Sequence, residues 1–130
     1  MGNQLYHLIT GYGIARTLNR THYFSIRHNC MPPVVEYLRQ LTNIFPRLHS
    51  TFVISPYEAE EAIVEFSASC CDYVNPLRLS NRNEDYLLLN MTFGQHPKYF
   101  EDYLADVRSI LEFSDETIAQ GSELLKGWKM

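Results

Sequence analysis

Residues 51–74 constrain the fold most, because a short apolar run there leads straight into the best-marked helix signal of the chain. Residues 52–54 are aromatic or β-branched, which favours a short buried strand. Ser55 is placed to cap a helix that begins at Pro56, and an acidic residue three positions after Ser55 completes a capping box. We expect this helix to end before Pro76. Its apolar stripe would consist of Ala59, Ala62, Ile63, Phe66, Cys70 and Tyr73.

The remaining chain alternates between strand and helix signals. Residues 21–28 and 86–93 are expected as strands, and a helix is expected to begin at Pro32. Another helix should begin near Pro97, and Ser114 should cap a last one. These elements predict a single globular α+β domain over residues 1–130. A small mixed or antiparallel sheet would be covered by amphipathic helices and followed by a C-terminal helical pair.

Two shorter segments are also assigned from the sequence. Gly11, Tyr12 and Gly13 are expected to break the first apolar segment, which could be either helix or strand. Residues 77–79, after Pro76, are expected as an edge strand.

The charge is unevenly distributed along the chain. The net charge is −4, but residues 1–50 carry five arginines and one glutamate, a balance of +4, whereas residues 51–130 carry six bases and 14 acids, a balance of −8. This asymmetry has two interpretations. It can mark a surface for a charged partner, or the two halves can face each other across the fold.

The three cysteines and the chain's hydropathy bear on the compartment. Cys70 and Cys71 are adjacent, and neighbours on a helix point apart, so we expect reduced thiols at these positions and at Cys30. No apolar run is long enough to span a membrane, and residues 1–10 lack the features of a signal peptide. The sequence thus predicts a cytoplasmic protein with no membrane association.

No motif for catalysis, a metal or a cofactor is evident. His22, His28, Cys30, Cys70 and Cys71 have the wrong spacing for a zinc finger or ribbon, and no phosphate-binding loop or catalytic motif is present. We therefore expect no metal, no cofactor and no catalytic residues. Residues 14–21 have some features of a helix-turn-helix, but the strand expected over residues 21–28 does not fit that motif.

Acidic residues interleaved with tyrosines suggest the first functional hypothesis. Tyrosine is enriched at interfaces, and a negative surface steers towards a positive partner. The sequence therefore predicts a non-enzymatic protein-binding module, such as a small acidic inhibitor or immunity-type protein, and leaves a homodimer open. The candidate partner-binding residues, all expected in helices, are Tyr57, Glu58, Glu61, Glu65, Tyr99, Asp102, Tyr103 and Asp106.

Two alternatives remain open at this stage. The first is a nucleic-acid-binding protein that uses the basic segment 14–39, although the acidic half would repel phosphate. Its candidate contacts are Arg16, Arg20, Arg27 and Arg39. The second is a small enzyme of unknown reaction with a pocket formed by His22, His28 and Cys30.

Overall fold

A long N-terminal helix organises the structure. The computed structural model describes residues 2–91 and 94–127, and its first helix, α1, spans Gly2–Thr17 without interruption. The expected break at residues 11–13 is wrong, because both glycines let α1 approach other parts of the chain closely. Gly13 lies against the backbone of Tyr99, where a Cβ would be 2.7 Å from the carbonyl carbon. Thr10, fully buried, donates its hydroxyl to the Gly94 carbonyl at 2.7 Å.

The helix α1 contributes to two hydrophobic clusters. Leu8 and Ile9 lie in the first cluster, whereas Ile14 lies in the second. The other buried members of the first cluster are Phe24, Leu41, Leu48, Val107 and Ile110. Those of the second are Phe66, Leu79 and Tyr99. Because one helix contributes to both clusters, its position fixes the spacing between them.

The first strand pair is short. Strand β1, Tyr23–Phe24, pairs in parallel with β2, Val53–Ile54. The strand predicted over residues 21–28 is thus confirmed for two residues, and the strand predicted at 52–54 is confirmed at Val53 and Ile54. Their side chains are 50% and 46% exposed, so the expectation that this strand is buried is wrong.

The second strand pair replaces the helix predicted from Pro56. Strand β3, Glu61–Ser67, pairs in parallel with β4, Tyr86–Met91. Val64 and Phe66 alternate along β3 and pack into the second cluster, while Ile63 before Val64 is 60% exposed and Glu65 between them is also exposed. This period of two is that of a strand. The predicted strand at 86–93 is confirmed to Met91, and its last two residues lie outside the described residues.

The predicted cap at Ser55 is also wrong. Its hydroxyl accepts the N–H of Ile26 at 3.2 Å, and its own N–H donates to the Phe24 carbonyl at 2.9 Å. Ser55 is buried, and the chain after it forms a turn in which the Ala59 N–H donates to the Pro56 carbonyl. The hydroxyl therefore joins two distant segments and caps no helix.

The predicted helices in the remainder of the chain are largely confirmed. Helix α2 spans Pro32–Ile44 and is followed by a 3-10 turn, Pro46–Ser50. Helix α4 spans Asp115–Lys126, and Ser114 caps it by accepting the Thr117 N–H at 3.1 Å. The helix predicted from Pro97 begins as two 3-10 turns, Pro97–Tyr99 and Glu101–Tyr103, and becomes α3 over Leu104–Ile110.

The segment 77–79, predicted as an edge strand, is also helical. It lies in a 3-10 turn, Pro76–Leu79, which the Asn75 side chain caps by accepting the Leu77 N–H at 3.0 Å. Leu79 is buried in the second cluster. The edge-strand expectation is therefore wrong, because the cap at Asn75 favours a tight helical turn.

These elements confirm the α+β class with a C-terminal helical pair, α3 and α4. Both described strand pairs are parallel, which corrects the expected mixed or antiparallel sheet. Parallel strands need a long connection between them, and here the connections include helical segments. Across residues 2–91 and 94–127, no helix combines the length and apolar character required to cross a membrane.

Two further expectations are settled by local geometry. Cys70 and Cys71 are bonded to each other in a bend after β3, so the expectation of reduced thiols there is wrong; the chain is not helical at this point.

The basic and acidic halves face each other, because Arg16 pairs with Asp106 and Arg47 pairs with Glu112, each at 3.2 Å. Part of the charge asymmetry is therefore neutralised within the fold.

Candidate functional site

A cleft of about 600 Å³ lies between α1 and β4 and is closed on one side by β1. We call it the α1–β4 cleft. Its volume falls in the range of small-molecule sites, which are commonly about 300–1,000 Å³. Apolar side chains form much of its wall, namely Ile14 of α1, Leu18 just after that helix, and Leu87 and Leu89 of β4. The ionisable side chains among its described lining residues are His7, Arg20, His22, Tyr23, Asp85 and Tyr86.

His22 is the most perturbed side chain of the α1–β4 cleft. Burial, and then the neighbouring charge of His7, lowers the pKa of His22 from 6.5 to about 4. The imidazole is therefore neutral at physiological pH. Its Nδ1 is buried and has no hydrogen-bond partner among the described residues. An unpaired buried nitrogen is energetically costly, so a ligand group that bonded it would recover that energy.

Arg20 and Asp85 bring opposite charges to the same part of the α1–β4 cleft. The Arg20 guanidinium donates to the backbone carbonyl of Glu84, the residue before Asp85. Asp85 is exposed, and the strand β4 begins at the next residue, Tyr86. The segment after α1 is thereby held to the residues just before β4.

Tyr23 of β1 lines the α1–β4 cleft, and its hydroxyl is hydrogen-bonded to a residue of β3. It donates to Glu61 Oε2 at 3.0 Å, and Ser25 donates to the other oxygen of the same carboxylate at 2.7 Å. The ring of Tyr23 meets that of Tyr86 edge to face, with centroids 5.2 Å apart. Two aromatic rings with a polar rim are typical of sites that bind amphipathic ligands.

The predicted acidic surface is dispersed over several elements. Glu61 and Glu65 lie on β3, and Tyr57 and Glu58 lie near the turn before it, so their expected helical placement is wrong. Tyr99 is only 1% exposed and accepts the Val74 N–H at 3.0 Å.

The acidic and aromatic residues of the C-terminal region are also partly engaged. Asp106 accepts the Tyr12 hydroxyl at 2.8 Å and pairs with Arg16, whose guanidinium lies over the ring of Tyr103. Asp102 is exposed. The eight residues therefore do not form one helical face.

The four arginines of the nucleic-acid alternative are each bonded within the fold. Arg16 pairs with Asp106, and Arg39 pairs with Glu36. Arg20 donates to the Glu84 carbonyl, and Arg27 donates to that of Ala59. Helix α1 continues to Thr17, and β1 follows it, so residues 14–21 do not form a helix-turn-helix.

The three residues of the small-enzyme alternative do not form one pocket. His22 lines the α1–β4 cleft, whereas His28 is exposed elsewhere and Cys30 packs against the first hydrophobic cluster. Burial raises the pKa of the Cys30 thiol, which opposes the thiolate form. Within the described ranges, no three histidine, cysteine or acidic side chains are grouped to hold a metal ion.

Asp85, Tyr23 and Tyr86 were missed as site residues from the sequence. Asp85 lay in a polar loop, and the two tyrosines lay within expected strands. Tyr23 and Tyr86 are 63 positions apart and meet only because β1 and β4 converge on α1. The one local signal was the position of Asp85 directly before an apolar strand.

The chain is similar to curated proteins of Caenorhabditis elegans. Two of these are named galactoside 2-alpha-L-fucosyltransferase. One is 29% identical over 85% of this chain and 28% of its own length, and the other is 27% identical over 86% of this chain and 31% of its own length. A third, provisionally given the same name, is 29% identical over 92% of this chain and 32% of its own length. The chain thus spans less than a third of these relatives. No family model and no solved structure matches it.

These relatives correct the functional prediction. Their names are those of transferases, which contradicts the expectation of a non-enzymatic inhibitor or immunity protein. One of the acids that suggested an inhibitor surface, Asp106, pairs with Arg16 of the same chain. Composition alone therefore did not indicate the class of protein to which these relatives belong.

Proposed function

We propose that the chain is part of a glycosyltransferase and that the α1–β4 cleft binds the galactoside that accepts a fucosyl group. The observation that carries this proposal is the similarity to galactoside 2-alpha-L-fucosyltransferases over most of the chain. The cleft supports it, because its volume of about 600 Å³ and its mixture of aromatic and polar side chains suit a small sugar.

The proposed transfer has a simple balance of bonds. The oxygen at position 2 of the galactoside forms a bond to the anomeric carbon of an activated fucosyl donor. The bond from that carbon to the leaving group breaks, and the leaving group keeps the electron pair. The hydroxyl proton must pass to a base as the new bond forms.

Asp85 is the group proposed to accept this proton. It is the carboxylate among the described lining residues of the α1–β4 cleft, and it is exposed to an incoming ligand. A positioned carboxylate commonly accelerates such a step by 10²–10⁴-fold. Arg20, anchored on the neighbouring Glu84 carbonyl, also lines the α1–β4 cleft and places positive charge nearby.

His22 has a different part in the proposal. A pKa of about 4 makes its imidazole a weak base near neutral pH. Its unpaired Nδ1 instead suits a hydrogen bond to a sugar hydroxyl, which can act as donor or acceptor. His22 is thus proposed to orient the acceptor, and Asp85 to deprotonate it.

The proposal is tested by titrating the 130-residue chain with methyl β-galactoside while protein NMR signals are recorded. We expect perturbed signals from α1, β1 and β4, and weaker binding of methyl β-glucoside. His22→Phe should weaken galactoside binding about tenfold, the size of one lost hydrogen bond. His49→Phe is the matched control, because His49 is exposed and does not line the cleft. Equal binding by the two variants would argue against His22 as a ligand-binding group.

Transfer of the fucosyl group by the 130-residue chain is measured in a separate assay, with labelled fucose supplied as an activated donor and a galactoside as acceptor. Asp85→Asn should lower the transfer rate by at least 10²-fold while galactoside binding persists. Glu65→Gln, on the exposed part of β3, is the matched control. If methyl β-galactoside changes no NMR signal of the residues that line the cleft, the proposal is overturned.

A further inference from the structure

A carboxylate outside the α1–β4 cleft fixes the hydroxyl group of a residue that lines it. Glu61 does not line the cleft, but Tyr23 does. The Tyr23 hydroxyl donates to Glu61 Oε2 at 3.0 Å, across 38 residues of sequence. Because no short-range element joins the two, this contact depends on the way β1 and β3 meet.

Glu61 itself is held from two directions. Ser25, fully buried, donates its hydroxyl to Glu61 Oε1 at 2.7 Å, so both carboxylate oxygens are engaged. The backbone of Ser25 is fixed in turn, because its N–H donates to Asn29 Oδ1 at 3.0 Å. Glu61 is also the first residue of β3 and pairs with Tyr86 of β4. The acceptor of the Tyr23 proton is therefore anchored by both strand pairs.

This arrangement limits what Tyr23 can offer to a ligand. A phenol has one proton to donate, and here that proton is directed to Glu61. Burial, followed by the hydrogen bond to Glu61, raises the pKa of Tyr23, so the phenol stays protonated. Its oxygen can therefore only accept a hydrogen bond from a group in the α1–β4 cleft.

We infer that Tyr23 is a specificity-determining residue that accepts a hydrogen bond from one hydroxyl of the bound galactoside, with Glu61 as the positioning residue that orients it. This inference rests on the proposed function and deepens it, since it names the chemical character of the contact. A ligand hydroxyl that donates is accepted, whereas a fluorine at the same position cannot donate and leaves the phenol oxygen unpaired.

The contact with the ligand is tested by a cycle of protein and ligand changes. Methyl β-galactoside and its monodeoxyfluoro analogues are titrated against the 130-residue chain and against Tyr23→Phe, with binding followed by NMR. One fluorinated analogue should bind the unmodified chain about tenfold more weakly than the parent sugar. That difference should vanish in Tyr23→Phe and persist in the control Tyr37→Phe, since Tyr37 is exposed on α2.

The positioning role is tested by a second cycle. Glu61→Ala should weaken binding of the parent sugar as much as Tyr23→Phe does, and should add nothing when combined with it. Glu61→Gln keeps an oxygen that can accept the Tyr23 proton, so it should retain the binding of the unmodified chain. A merely structural role for Glu61 would weaken binding equally in both tyrosine backgrounds, and this result would overturn the inference.

The two proposals fail in different ways. If methyl β-galactoside does not bind the unmodified chain, the proposed function and the inference both fall. If it binds, and Tyr23→Phe leaves the preference among the fluorinated analogues unchanged, only the inference falls. A near-native NMR spectrum of Tyr23→Phe, which retains the ring against Tyr86, confirms that the fold is preserved in this comparison.

Discussion

Gly11 packs directly against the imidazole ring of His22, and a Cβ at position 11 would lie 2.6 Å from His22 Cε1. This contact brings the middle of α1 to the start of β1 and forms one wall of the α1–β4 cleft. The glycine is required by the volume of the ring, because φ at this position is that of an ordinary helix and Gly11 carries no positive φ.

Gly11→Ala is expected to displace the His22 ring and to destabilise the fold by about 1–3 kcal/mol, the usual cost of overpacking. Urea unfolding measures the change. Gly121→Ala on α4 is the matched control, because a Cβ there meets nothing within 4 Å. That control should gain up to about 1 kcal/mol from better helix propensity. Equal stability of the two variants would contradict the packing argument.

Gly13→Ala is expected to cost more than Gly11→Ala. A Cβ at position 13 would lie 2.7 Å from the carbonyl carbon of Tyr99 and 3.0 Å from Phe100 Cα. A side chain can rotate away, but this backbone belongs to the second cluster and cannot move without opening it. We expect a loss of about 3 kcal/mol or more, or failure to fold, measured by urea unfolding beside the Gly11 variant.

His22 should make stability depend on pH. Its folded pKa of about 4 lies below its ordinary value of 6.5, so the unfolded chain binds more protons between these limits. Stability should therefore be full above about pH 6.5 and fall as the pH decreases towards 4, by roughly 3 kcal/mol at most. Urea unfolding at several pH values between 7 and 4.5 should show this slope. A variant with His22→Phe should show a smaller slope, and an unchanged slope would rule out His22 as its source.

Ser114→Ala should destabilise the protein by about 1 kcal/mol through loss of the cap of α4. Its hydroxyl accepts the Thr117 N–H at 3.1 Å and donates to Thr117 Oγ1 at 2.7 Å. Ser122→Ala, exposed within the same helix, should be neutral or slightly stabilising. Thermal unfolding of the two variants distinguishes loss of the cap from a general effect of removing a hydroxyl.

Local signals predicted several elements correctly because they act within one turn of helix. Pro32 begins α2 as expected, and Ser114 caps α4 as expected. In each case a proline ring or a side-chain oxygen satisfies or avoids an unpaired N–H at the helix start. The same signals were misleading at Ser55 and Pro56, where the hydroxyl bonds Ile26 instead.

The strand β3 shows why those signals failed. Residues 59–73 match a helical period, and they match a strand period as well from Glu61 to Ser67. Its partner β4 lies 25 positions further along, as in the pair Glu61 and Tyr86. Pairing with β4 satisfies the backbone groups of β3, and local propensity has no information about that partner.

The single-domain organisation and the cytoplasmic location stay predictions.

The sequence by itself determined the α+β class and the helices with strong local starts, because these depend on side-chain size, proline geometry and nearby hydrogen bonds. The tertiary structure alone decided the site. It brought His22 against Gly11, Tyr23 to Glu61 and Arg20 to the Glu84 carbonyl, contacts that join separate elements of the chain. Such contacts form only when the hydrophobic clusters fix the elements in place, so no local pattern in the sequence encodes them.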